Sequence, residues 1–305
     1  MKRAAFLFIF VLIAQTLTVS AQSESSNEML LQISSIPEAK LDYTHTIKYP
    51  FLQGDSPLTE GNNIRISLTA EISPVMLNGL IKTVWTPVAF IELSAGVRLG
   101  TGWPINILGE DIYGTGLNFS GIDGKSEYKG STFDALLWKG FAGGTFQFDL
   151  AAIFPGDWNH VVFLTYHEIN YQANTNAKKW QSWYYEGDYG ENCNGFNYYG
   201  NFVIGYQMPI FLNMIAFLTE MDLYLYDTPN RSAWGDDMIR WKFSGILNFT
   251  ITKKLEIAVI TQFRTWRNFI EPDWEDLYYR NRTIDTSNPL KLEFYRIAAA
   301  ITYRF

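Results

Sequence analysis

The sequence predicts an all-β chain closed into a single antiparallel transmembrane β-barrel, with ten strands as the preferred count and twelve as the alternative. Three observations carry this. Apolar and polar residues alternate with period two over segments of ten residues or more, the signature of a strand with two unlike faces. Connections sort into tight turns and long polar loops. Past residue 21 the longest apolar candidate, starting at Met208, is broken by Pro209, Asn213, Glu220 and Asp222, so no helix there would span a bilayer.

The elements follow in order. Lys2 and Arg3 precede an apolar run from Ala4 to Ala14, and Val19-Ser20-Ala21 closes the segment. That is the layout of a cleaved secretory signal over residues 1–21. Its removal takes the net charge from −7 to −9, which argues against nucleic acid as a partner. No cysteine stands at the cut, which argues against a lipid anchor. Residues 22–39 alternate poorly and read as a periplasmic lead-in, leaving 40–305 for the barrel. The single cysteine, Cys193, excludes an intramolecular disulfide framework for an exported chain.

Within the barrel, "KLDYTHTIKY" sets Leu41, Tyr43, Ile47 and Tyr49 against Asp42, Thr44, Thr46 and Lys48. "NIRISLTAEI" does the same with Ile64, Ile66, Leu68, Ala70 and Ile72. "AFIELSAGVRL", "FNYYGNFVIGYQM" and "MIRWKFSGILNFTI" repeat the pattern. The last strand runs to Phe305 with Tyr295, Ile297, Ala299, Ile301 and Tyr303 on one face. Predicted strands lie near 40–51, 63–86, 88–102, 131–154, 159–172, 196–208, 211–226, 238–251, 255–266 and 291–305. Short turns at 85–87, 155–158, 207–210 and 252–254 alternate with long loops near 52–62, 103–130, 173–195, 227–237 and 267–290. Tight periplasmic turns and long external loops are the habit of transmembrane barrels. Splitting the two longest strands, at Pro74 and at Gly143-Gly144, gives twelve and keeps the count even.

These two ends together resemble outer-membrane β-barrel proteins of double-membraned bacteria: a signal peptide, and a last strand finishing Ile301-x-Tyr303-x-Phe305. The resemblance implies residence in the outer membrane, contact with its lipid, and recognition of Ile301, Tyr303 and Phe305 by the barrel-assembly machinery. It implies no activity and no cofactor.

The faces predicted to line the lumen carry Arg65, Glu71, Glu92, Arg98, Glu220, Asp222, Arg240, Lys242, Arg264, Arg296 and Arg304. Small barrels fill their interior with side chains, whereas open aqueous channels belong to larger ones, so these charges are expected to pair across a narrow bore. The first functional reading is permeation or small-solute uptake with selectivity set by those charges. Its rival is a non-conducting surface barrel whose long loops bind an extracellular partner. A barrel-borne enzyme comes third. His45, His160 and His167 form no ligand set, and no phosphate loop, GxSxG elbow or HExxH occurs. Asp273–Asp276 and Asp236-Asp237 could offer carboxylates to calcium, but solvated loop charges are the simpler reading. No catalytic, cofactor or metal residues are assigned.

Full burial of a phenylalanine is worth about 1.5–3 kcal/mol, and a terminal ring is only partly buried. Phe305→Ala is therefore expected to refold from urea into micelles while reaching the cell surface several-fold less. Heat-modifiable gel mobility and surface proteolysis of intact cells measure the two, and normal surface levels would refute the assembly role.

Overall fold

A computed structural model describes residues 23–36, 38–107, 109–186 and 190–305. The predicted signal peptide lies outside them. Twelve strands among the described residues close into one antiparallel barrel. They are β1 (Glu24–Ser34), β2 (Ala39–Pro50), β3 (Asn63–Ile72), β4 (Met76–Val88), β5 (Ile91–Gly102), β10 (Leu137–Asp149), β11 (Val161–Asn174), β13 (Gly195–Gln207), β14 (Leu212–Tyr224), β15 (Arg240–Thr250), β16 (Leu255–Arg267) and β17 (Leu290–Arg304). Five shorter strands belong to the loops: β6 (Pro104–Ile107), β7 (Glu110–Tyr113), β8 (Thr115–Ser120), β9 (Ser126–Gly130) and β12 (Ser182–Tyr185). Consecutive barrel strands pair in sequence order, and β1 pairs with β17 to close the wall. Backbone bonds between Asn27 and Phe305, at 3.2 and 3.1 Å in the two directions, pin the last residue to the first strand.

The count is twelve, not ten, and it is reached by a different route from the one foreseen. Residues 24–34 are a wall strand rather than part of a lead-in. Met29, Leu31 and Ile33 face outward, but Leu30 beside Leu31 and the polar start Glu24–Asn27 obscure the alternation. The predicted strand 63–86 does divide at Pro74, where Ser73–Val75 turns. The predicted strand 131–154 does not divide. Gly143 sits mid-strand in β10 because a Cβ there would meet the His167 carbonyl at 2.6 Å and the Tyr166 hydroxyl at 2.8 Å.

The extra strand reverses one part of the loop assignment. The 51–62 segment lies at the rim that holds the chain ends, where the Ala89 amide donates to the Leu58 carbonyl at 2.9 Å. The Ser73–Val75 turn lies at the opposite rim, where the Trp103 amide donates to Val75 at 3.0 Å. Strict short–long alternation therefore fails across β2–β4. The turn expected at 85–87 is instead at Ala89-Phe90, with Trp85–Val88 forming a bulge in β4. The outer rim is low along the β1–β2 and β3–β4 turns and high elsewhere.

Side chains alternate as a wet-lumen barrel requires. Ile72, Ile81, Val97, Ile204, Ile215, Phe217, Leu247 and Ile297 are exposed on the outside. Thr69, Glu71, Asn78, Ser94, Glu168, Ser244 and Gln262 are buried within. One strand departs from its predicted face: a bulge in β17 opposite Gln262 and Phe263 puts Leu292 and Phe294 outside. Tyr295 turns to Arg264 and Arg296, whose guanidinium carbons stand 4.1 and 4.8 Å from its ring centroid. Tyr295 therefore leaves the outward set.

Leu247 lies in the outward apolar belt between Gly245 and Phe249 of β15. Leu247→Arg is expected to cost about 2–4 kcal/mol, the penalty of a charge near the middle of the lipid face. Urea titration of folding into lipid vesicles measures it; unchanged stability would mean the residue faces the lumen.

Candidate functional site

The lumen is built from charges that the alternation of the wall strands delivers to one interior. Arg65 on β3 reaches Glu92 on β5, Nη2 to Oε1 at 2.6 Å. Glu71 accepts from Arg98, again across β4, and lies 3.8 Å from Lys40. Asp222 faces Lys242 at 3.9 Å, and Arg264 donates to Glu293 at 2.7 Å. Glu220 accepts from the Tyr199 hydroxyl at 2.8 Å and from Gln262 at 3.2 Å. Arg296 donates to Glu38 and, at 3.1 Å, to Gln262. Arg240 donates to the Tyr224 hydroxyl at 2.6 Å with its guanidinium carbon 3.8 Å from that ring's centroid. At the opposite rim Arg304 donates to Glu28 and Glu256, both at 2.9 Å.

Sequence reasoning missed several partners. Lys139 and Glu168 pair at 2.7 Å, and simple alternation along β10 and β11 would have found both. Glu38 was hidden in the supposed lead-in. Nothing local announces Tyr185 or Arg267, because the roof over the barrel recruits them.

That roof is made by the four long loops, three of which are joined by backbone pairing. β8 pairs with β9 in its own loop and with β12 from the next one. The third loop is stitched on by Ser126 to Asp276 at 2.9 Å and Tyr278 to Gly124 at 3.1 Å, amide to carbonyl. Inside the mouth, Met76, Leu137 and Trp183 form a buried apolar cluster. The Tyr185 hydroxyl accepts from Arg98 at 2.6 Å and from Asn78 at 3.0 Å, both on the β4–β5 wall. Six residues on, Glu191 accepts from Arg267 of β16 at 2.5 Å. β5 and β16 are six places apart around a twelve-strand wall, so these anchors stand on opposite sides. The hairpin that carries both, closed by backbone bonds between Trp183 and Asn192 at 2.8 and 3.1 Å, is thus held from opposite sides of the mouth.

Arg267, 1 % exposed, ties the hairpin down on its side. It also donates to Asp236 at 3.0 Å and to the Gly235 carbonyl at 3.1 Å, and its guanidinium carbon lies 5.1 Å from the Tyr279 ring centroid. One side chain thus joins three of the four loops, those that follow β11, β14 and β16.

The other groups singled out in the sequence are dispersed. His45 contacts Asn27 at 2.9 Å, and His160 contacts Asp149 at 2.6 Å. His167 faces outward in a chain with Thr165 and Tyr198. Asp236 is taken by Arg267 and Thr228, and Asp273 by Arg282 and Lys291. Hydrogen bonds from Lys291 and Arg282 hold the Asp273 carboxyl below the usual range. Among the described residues no group of three or more His, Cys, Asp or Glu is placed to hold a metal. Cys193, read as an idle loop thiol, is fully buried beside Tyr224 and Tyr226 with Arg280 Nη2 3.1 Å from its sulfur. Burial pushes that thiol up to about 11.

No protein-family model matches the chain, and no curated protein matches it. Among solved structures, the chain is similar to the NanC porin at 6 % identity, over 91 % of this chain and 98 % of that one, with a TM-score of 0.41. It is similar to the β-domain of the Bordetella autotransporter BrkA at 10 % identity, over 92 % and 99 %, with a TM-score of 0.41. OmpT of Vibrio cholerae matches at 5 % identity over 94 % and 99 %, with a TM-score of 0.37. At these scores the likeness does not bear on function. The chain's own closed sheet, apolar outside and charged inside, is the architecture of outer-membrane barrels. Its location is the cell outer membrane.

Removing one partner of a buried pair costs about 3–5 kcal/mol because the other charge is stranded. Arg267→Ala is expected to free the roof while the barrel stays folded. Protease cleavage within 175–194 or 225–239 should rise strongly with heat-modifiable mobility kept. Unchanged cleavage would show that Arg267 does not hold the loops.

Proposed function

We propose that this protein is a barrel closed at rest, which presents an ordered platform of loops at the cell surface. The observation that carries this is the β12 hairpin held over the mouth, with Arg98 bonded to Tyr185 on one side and Arg267 to Glu191 on the other. Paired lumen charges add to it. Each pair offsets the cost of holding charge away from bulk water, and the Lys82 ammonium stands 5.9 Å from the Tyr166 ring centroid rather than beside a carboxylate.

A gated uptake route is the second reading, and one observation favours it. Beneath the roof, Arg65, Lys139 and Arg296 keep 35, 33 and 32 % of their side-chain surface open. Solvent therefore reaches a polar bore below the hairpin, and displacing that hairpin would join it to the outside. Enzymatic chemistry has no comparable support, since the three histidines serve three separate neighbourhoods.

Single-channel recording of the refolded protein in planar bilayers separates the readings. The native protein is expected to be silent. Tyr185→Phe combined with Arg267→Gln, which unfastens both anchors, is expected to open in bursts. Steady conductance by the native protein would overturn the closed barrel.

A further inference from the structure

The roof carries a second feature that neither the lumen nor the hairpin uses. A cleft of about 440 Å³ opens on its outer surface between Trp180 and the segment Asp227–Ala233. That volume falls within the range of small-molecule sites, about 300–1,000 Å³.

Both walls are braced. Trp180 has φ = +62°, a left-handed conformation uncommon for a bulky residue. Such backbone persists only when its surroundings over-determine it, and it clusters at ligand clamps. Here Arg280 Nη1 donates to the Trp180 carbonyl at 2.6 Å, the Cys193 thiol approaches the same oxygen at 3.6 Å, and the Arg280 guanidinium stacks 4.4 Å over Trp234. On the facing wall Arg231 donates to the Tyr224 and Tyr226 carbonyls at 2.6 and 3.2 Å. The Asp236 amide closes the turn onto the Arg231 carbonyl at 2.9 Å.

The polar groups left over define the ligand. Arg231 spends its guanidinium on backbone carbonyls, and the Lys179 ammonium sits 4.7 Å from the Trp180 ring centroid. Lys179 does not line the cleft and the Arg231 guanidinium is committed, so no uncommitted cation faces a ligand there. Asp227, Asn230 and Ser232 are exposed along the facing wall. The Asp227 carboxylate and the Asn230 amide make no side-chain hydrogen bond among the described residues. A partly exposed indole opposite a carboxylate and an amide, beside a Ser232 hydroxyl that donates to Asp237 at 2.7 Å and can still accept, suits a ligand with an apolar C–H face and a fringe of neutral hydroxyls.

We propose that this cleft binds a neutral saccharide at the cell surface. The indole of Trp180 takes the C–H face of one pyranose ring, and Asp227 and Asn230 accept from and donate to its hydroxyls. The proposal rests on the reading of the loops as a rigid platform.

The test uses the full chain refolded in detergent micelles. The probes are the methyl glycosides of glucose, galactose and N-acetylglucosamine with the corresponding disaccharides, followed by calorimetry and tryptophan emission. Saturable binding with a millimolar-range dissociation constant is expected from at least one neutral probe. Trp180→Ala and Asp227→Ala should each weaken it about tenfold, as loss of a central anchor does, while Trp180→Phe keeps most of it. Asp227 is a surface side chain, so its variant remains informative if the Trp180 loop rearranges. No saturable binding by any neutral probe, binding confined to glucuronate or glucose 6-phosphate, or affinity unmoved by both variants would overturn the site. A barrel that conducts yet binds sugar would refute only the closed platform, and a silent barrel that binds none would refute only the site.

Discussion

Everything in this molecule depends on the pairing of β1 with β17. In hydrocarbon no water is available to satisfy a strand's amides and carbonyls, so a sheet there must have no edge. Closing it fixes much else. An even number of strands returns both chain ends to one rim, and the exchange of backbone bonds between Asn27 and Phe305 marks the seam. Twelve strands set an interior too narrow for a broad channel and too wide to be filled by aliphatic side chains alone. The interior is therefore polar, and its charges must find one another.

Some pair between adjacent strands, as Arg264 with Glu293 and Lys139 with Glu168 do, and others reach over a neighbour. Arg65 to Glu92 and Arg98 to Glu71 both span from β3 to β5, since long side chains on a concave face converge. The same logic extends upward into the roof, where Arg98 turns from Glu71 to the Tyr185 hydroxyl. Lumen and loops are thus one hydrogen-bonded structure, and the wall positions the lid directly. The low rim at β1–β4 has no long loop of its own, so the roof leans in from the other strands and fastens there.

Much of the wall was legible in the sequence, because a transmembrane strand repeats a two-residue pattern over ten or more positions and lipid punishes exceptions. The faces of β3, β5, β13 and β15 could be read directly. Three things resisted. β1 has adjacent leucines and a polar start, and its identity as a strand is decided by its partner β17. Gly143-Gly144 suggests a turn until Tyr166 is seen to need the room. The bulge at Tyr295 shifts a register by one residue, which no periodicity anticipates. The charged lumen followed from the faces, but the β3–β5 pairs did not, since partners two strands apart depend on curvature. The roof was least legible: β8 and β12 are short, lie about sixty residues apart, and meet only because the barrel brings their loops together.

The buried thiol has a practical consequence for spectroscopy. Cys193 is the chain's sole cysteine, it is wholly enclosed, and burial holds it protonated at neutral pH. Thiolates, not thiols, react with maleimides and spin labels. A cysteine introduced on the surface, at Ile122 on the outer hairpin for example, should therefore take a label selectively with the native residue left in place. Distances between such a label and one at the opposite rim would then report the motion of the roof in living membranes, without first disturbing the packing that Cys193 completes.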